Sequence, residues 1–82
     1  MYYIYLLVNS DGDKYIGYTS DLRQRLKEHQ AGESRYTASK RRDWKLIYYE
    51  AYPLERLARK REQVLKKNGS MRKHLYKRLE LP

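Results

Sequence analysis

The chain has 82 residues, no Cys and a formal net charge of +9. That length accommodates one domain with a modest core, and the absence of Cys excludes disulfide staples and a Cys-based zinc site. The apolar opening from Met1 to Val8 is too short for a membrane span and lacks the basic lead of a signal peptide, so a cytoplasmic protein is the expectation.

Tyr2 to Val8 is a continuous β-rich run, the pattern of a strand covered on both faces. Asn9 to Asp13 is a turn cluster and Lys14 to Tyr18 a second short strand, which together predict a hairpin. Thr19, Ser20 and Asp21 offer helix N-caps, with Ser20 and Asp21 the better placed. Leu22, Leu26 and His29 recur at helical spacing, and Gly32 stops that helix. Residues 33–43 show no periodicity and read as an exposed basic loop. Trp44 to Tyr52 is rich in aromatic and β-branched residues and reads as a third strand. Pro53 ends it and suits the start of a helix, along which Leu54, Leu57, Ala58, Arg61 and Leu65 trace one face. Asn68-Gly69 breaks that helix, Ser70 can cap the next, and Met71, Leu75 and Leu79 form its apolar stripe. The order ββαβαα predicts an α/β fold with a small three-stranded, mostly antiparallel sheet flanked by helices, in one domain over residues 1–82.

The charge is unevenly spread. Residues 1–34 carry four bases and five acids, whereas residues 35–82 carry fifteen bases and five acids. The positive surface therefore belongs to the loop after the first helix and to the C-terminal helices. Such a patch attracts polyanions by screened Coulomb forces and counterion release, so nucleic acid is the expected partner. A merely basic soluble surface and an anionic membrane surface are the alternatives.

Three features break the local rules. Arg25 and His29 fall beside Leu22 and Leu26 on the helical wheel, where unpaired polar groups are costly; either they snorkel to water from the stripe's edge or they serve a site. Glu62 lies at the margin of the second helix's apolar face among Arg59, Lys60, Arg61, Lys66 and Lys67. A carboxylate in that field stays ionised, as a hard-cation ligand or as the partner of an i±4 base. Arg61, near the centre of the same face, predicts an inward carboxylate as its structural partner. The ten Tyr and absent Phe are the third feature. A core needing only aromatic bulk would use Phe too, and tyrosine hydroxyls seek partners. Tyr3 and Tyr5 point to one sheet face, and Tyr15 follows on the paired strand.

Tyr3-Ile4-Tyr5 and Tyr15-Ile16-Gly17 resemble the two eponymous motifs of the GIY-YIG nuclease family. Arg25 and His29 fall eight and twelve residues after Gly17, where that family carries a helix arginine and a histidine. Tyr36-Thr37 resembles the "YT" of its small members, Lys60-Arg61-Glu62 the segment bearing its metal-binding glutamate, and Asn68-Gly69-Ser70 with the basic helix that follows also fits. The resemblance covers essentially the whole chain and points to the small single-domain, UPF0213-like branch. The first motif begins with Tyr3 where the family has Gly.

The resemblance implies a catalytic set of Tyr5, Tyr15, Arg25, His29 and Glu62. Glu62 would hold a single Mg²⁺. Tyr5 would act as general base on the attacking water, with its pKa lowered by nearby positive charge. Tyr15 would hydrogen-bond phosphate or water, Arg25 would stabilise charge developing on the phosphate, and His29 would orient a tyrosine or assist proton transfer. Gly17, Tyr36, Lys40, Arg41 and Arg42 are the expected nucleic-acid contacts, Gly17 because it lets the backbone pass close to substrate. The implied activity is Mg²⁺-dependent hydrolysis of phosphodiester bonds in DNA. Two alternatives stand beside it: a module that binds DNA or RNA without cutting it, and a nuclease subunit whose activity needs a partner protein. The last is motivated by the separate DNA-binding domains of larger relatives.

Overall fold

The computed structural model describes residues 1–82. Its elements follow in the order β1 (Tyr2–Val8), β2 (Lys14–Thr19), α1 (Leu22–Gln30), β3 (Lys45–Tyr52), α2 (Glu55–Lys67) and α3 (Gly69–Arg78). The strands form one antiparallel sheet in the order β2-β1-β3. β1 is therefore central, and Ile4 to Leu7 are buried, as an unbroken apolar run requires. The hairpin turn is built on Asn9. Its Oδ1 accepts from the Asp11 and Asp13 amides at 3.1 and 2.9 Å, and Gly12 supplies the positive φ.

β2 and β3 flank β1 on opposite sides, so the chain between them must cross one face of the sheet. α1 begins this crossing at Asp21, whose carboxylate accepts from the Gln24 amide at 3.1 Å. It ends on paired bonds, from the Glu33 amide to the Glu28 carbonyl at 2.9 Å and from the Gly32 amide to the His29 carbonyl at 3.1 Å. Gly32 takes the left-handed conformation that this Schellman arrangement needs. Under the crossing, Tyr5, Leu7 and Trp44 pack with Tyr15, Leu22, Leu26 and Leu46. On the other face, Ile4, Leu6 and Ile16 pack against Ala58 and Leu65 of α2 and Leu75 of α3. Fully burying one side chain such as Leu65 contributes about 2 kcal/mol.

Several expectations are corrected. The loop of residues 33–43 is not uniformly exposed, because Ser34 and Thr37 are each 1% accessible. Tertiary partners draw them in, which local polarity does not reveal. Trp44 precedes β3 and is buried beneath the crossing, so its bulk serves the core and not the strand. Leu54 and Leu57 are 44% and 38% exposed. Leu54 is the N-cap residue and lies outside α2, and Leu57 sits about 90° from the Ala58–Leu65 line. Asn68, not Ser70, caps α3, accepting from the Met71 amide at 3.1 Å, because the helix starts two residues earlier.

The inward carboxylate for Arg61 is Glu50 of β3. Arg61 Nε and Nη2 reach its two oxygens at 2.9 and 3.2 Å. The Tyr48 and Tyr52 hydroxyls donate to the same carboxylate at 2.7 and 2.5 Å. Two β3 tyrosines thus serve a polar clamp between the sheet and α2. No helix is long and apolar enough to cross a membrane.

Candidate active site

Tyr5 sits mid-strand on the face that α1 crosses, and it is 2% exposed. Arg25 and His29 are one helical turn apart on α1, so their side chains descend together onto that face. They meet at the Tyr5 hydroxyl. Arg25 Nε donates to Tyr5 Oη at 3.3 Å, and His29 Nε2 lies 2.9 Å from the same oxygen. Neither residue snorkels away: His29 is fully buried, and the half-buried Arg25 turns inward to Tyr5.

Each is held from behind. Arg25 Nη1 donates to Glu28 at 2.8 Å and Nη2 to Ser34 Oγ at 3.0 Å. His29 Nδ1 lies 2.6 Å from Thr37 Oγ1. Ser34, Thr37 and Glu28 were not singled out by sequence reasoning. The Tyr36-Thr37 pair is their only signal in the sequence, and its second half is the buried one. Tyr36 is 70% exposed and projects from the loop between Arg35 and the buried Thr37.

Gly17 stands opposite Tyr5 on β2. A Cβ there would collide with the Tyr5 hydroxyl and come within 2.8 Å of Tyr15 Cε2. Gly17 is thus required by the Tyr5 ring lying over it, a reason separate from the expectation that it lets the backbone pass close to substrate. The Tyr15 ring lies beside the pair, 6.2 Å from Tyr5 and 5.0 Å from His29 between centroids.

Glu62 arrives from α2, on the other face of the sheet, and meets this group at the β2 edge. Its carboxylate pairs with Lys66 at 3.2 Å, and the Lys66 ammonium also lies 5.4 Å from the centre of the Tyr15 ring. Arg25 and His29 thus meet at Tyr5, Glu62 is linked to the neighbouring Tyr15 through Lys66, and Arg61 turns away to Glu50. Lys40, Arg41 and Arg42 do not join them. Lys40 and Arg41 face Asp13 and Asp11 in the hairpin turn at 4.0 and 3.3 Å, and the Arg42 guanidinium packs over Gly32. The Asn9 side chain holds the Arg41 carbonyl, which places this basic cluster about 13 Å along β1 from Tyr5 at the usual rise per residue.

The electrostatics contain one reversal. The Tyr5 pKa is pushed up to about 12, chiefly by burial, and the hydrogen bond from Arg25 only partly opposes this. In the protein alone the expected lowering by positive charge does not hold, because desolvation of the phenolate outweighs the guanidinium. His29 is pushed down to about 4 by burial and then by the Arg25 charge, so its imidazole is neutral near pH 7. Arg25 keeps its charge, since the bonds to Glu28 and Tyr5 offset its burial.

No group of three or more His, Asp or Glu side chains is arranged to hold a metal ion. Glu62 offers a single hard carboxylate at the site, already shared with Lys66. That donor suits a hard cation whose other ligands are water and phosphate oxygens, as is usual for Mg²⁺. None of the three surface depressions is lined by Tyr5, Tyr15, Arg25, His29 or Glu62. The site is a packed polar edge and not a small-molecule cavity.

Comparisons with known proteins find relatives over most of the chain. Residues 1–78 match the family described as the GIY-YIG catalytic domain. A UPF0213 protein of Streptococcus sanguinis is 38% identical over 74 residues, covering 90% of this chain and 85% of the relative. A UPF0213 protein of Bacillus pumilus is 36% identical over 75 residues, covering 92% and 76%. The solution NMR structure of a UPF0213 protein from Bacillus halodurans superimposes with a TM-score of 0.59 at 31% identity, covering 99% of this chain and 87% of that one.

Proposed function

The chain belongs to the GIY-YIG family, and from that premise we propose that it is an endonuclease-type module hydrolysing phosphodiester bonds of DNA with a single Mg²⁺. The observation that carries the reading is the convergence of Arg25 and His29 on the Tyr5 hydroxyl, with Glu62 tied to the neighbouring Tyr15 through the Lys66 ammonium.

Each residue then has a task suited to its surroundings. Arg25 stabilises charge that develops on the scissile phosphate, a role that a fixed guanidinium serves well. Neutral His29 offers Nε2 to the Tyr5 phenol. In one concerted relay the attacking water gives its proton to the Tyr5 oxygen as the phenol hydrogen passes to His29 Nε2, so no free phenolate forms against the burial that disfavours it. Tyr15 hydrogen-bonds the phosphate or that water. Glu62 would hold the Mg²⁺ together with water and phosphate oxygens, and the ion when bound polarises the phosphate and stabilises the leaving oxygen. Lys40, Arg41 and Arg42 contact phosphates farther along the strand, and the exposed Tyr36 ring stacks on a base.

The test is an incubation with several DNA and RNA forms, with and without Mg²⁺, comparing wild type with Glu62→Ala. Mg²⁺-dependent nicking of DNA by wild type alone is expected. Equal nicking by both proteins would point to a contaminating nuclease and overturn the reading. The ion pair of Glu62 with Lys66 favours a second reading, a module that binds DNA or RNA without cutting it. Its mark is salt-sensitive binding indifferent to Mg²⁺ and to Glu62→Ala, with no nicking.

A further inference from the structure

Arg25 and His29 reach Tyr5 from α1, yet both are anchored by a loop that carries no regular structure. Ser34 and Thr37 turn inward from it at 1% exposure each, on either side of the solvent-facing Arg35 and Tyr36. The bend is fixed by its own backbone, with the Thr37 amide donating to the Ser34 carbonyl at 3.2 Å and the Lys40 amide to the Thr37 carbonyl at 3.0 Å.

The direction of the hydrogen bonds follows from what each group can do. A guanidinium only donates, so the Tyr5 oxygen accepts from Arg25 Nε at 3.3 Å. The phenol hydrogen is then left to point at His29 Nε2, 2.9 Å away. That nitrogen must carry a lone pair and no hydrogen. A neutral imidazole has one N–H, which here sits on Nδ1 and is donated to Thr37 Oγ1 at 2.6 Å. The opposite tautomer would aim two N–H donors at the phenol oxygen and leave the buried phenol hydrogen without an acceptor, which is disfavoured. Burial of His29 keeps the ring neutral and this choice meaningful.

We propose that Thr37 is a positioning residue, whose hydroxyl accepts the Nδ1 hydrogen of His29 and so supports the tautomer, selected by Arg25 through the Tyr5 oxygen, that presents Nε2 to the phenol. Ser34 does the parallel service for Arg25, holding Nη2 while Nε stays on Tyr5. Val at position 37 would fill the same volume, so a core requirement alone gives no reason for a hydroxyl. The catalytic consequence rests on the nuclease reading, whereas the tautomer does not.

Two measurements separate the two claims. Imidazole ¹⁵N shifts read the tautomer directly, and the exposed His74 is an internal reference as the second of the chain's 2 His. Wild type and Thr37→Ser are expected to show His29 with Nδ1 protonated and Nε2 bare, and Thr37→Val to lose that preference. In the nicking assay, Thr37→Val is expected to lower kcat by on the order of 10²-fold, within the range for general acid–base groups. KM for DNA should be unchanged, and Thr37→Ser should restore kcat. An Nε2-protonated His29 in wild type would overturn the proposal, as would a Thr37→Val protein with unchanged tautomer. If the tautomer behaves as expected while wild type cuts nothing, the positioning role stands and the nuclease reading fails.

Discussion

Tyr5 and Gly17 face each other across β1 and β2, and the phenol ring of Tyr5 occupies the space that a side chain at Gly17 would need. The second tyrosine-containing motif thus ends in Gly because the first ends in Tyr. Gly17→Ala should push the Tyr5 ring off its partners and destabilise the fold by about 1–3 kcal/mol through overpacking. Urea denaturation reads the stability loss, and Tyr5 ring shifts in NMR spectra read the displacement. An unchanged stability with unmoved Tyr5 resonances would contradict the packing described above.

His29 provides a pH signature. Its pKa is lowered from 6.5 to about 4, by burial first and the Arg25 charge second. Between those values the unfolded chain binds a proton that the folded chain refuses, so stability falls as pH drops from 6.5 toward 4. Urea midpoints measured across that window should decline in wild type and decline less in His29→Gln. Equal slopes in the two proteins would show that the imidazole is not held neutral.

The Glu50 clamp acts lower on the pH scale. Burial alone would raise the Glu50 pKa, but hydrogen bonds from Arg61, Tyr52 and Tyr48 outweigh it and hold it below the ordinary 4.5. Its stabilisation is complete above the ordinary value and lost as pH falls through the depressed one. Arg61→Ala, which leaves a half-buried carboxylate with only phenol partners, should cost on the order of 2 kcal/mol at pH 7. Denaturation of Arg61→Ala and Glu50→Gln at pH 7 and pH 3 checks both statements, since the acid sensitivity should shrink in each variant.

Lys66 and Glu62 share an ion pair at the β2 edge. If Glu62 holds Mg²⁺, Lys66 competes for the same carboxylate. Lys66→Met should then lower the Mg²⁺ concentration for half-maximal nicking by about twofold, the scale of an exposed i,i+4 pair, and change stability by less than about 0.5 kcal/mol. A Mg²⁺ titration of the nicking rate measures this. A higher requirement in Lys66→Met would show that the ammonium assists substrate and does not oppose the metal.

Much of this was legible in the residue order. The hairpin, the Asp21 cap, the Gly32 stop and the ββαβαα order are local matters, set by turn chemistry, capping and hydrophobic period. The rule-breaking positions were legible for the same reason: a polar residue on an apolar stripe stands out, as Arg25, His29, Glu62 and Arg61 do. That Arg61 needs an inward carboxylate could be expected from burial cost alone, although its identity as Glu50 could not.

Only the tertiary structure decided what lies behind those residues. Ser34 and Thr37 sit in a polar, aperiodic stretch, and nothing local distinguishes them from the exposed Arg35 and Tyr36. Their burial follows from the chain crossing a sheet face to reach β3, a consequence of strand order. The direction of the Tyr5 pKa shift was decided in the same way. Sequence shows which charges are present, but desolvation depends on how many layers cover the hydroxyl, and here that cover outweighs the nearest positive charge.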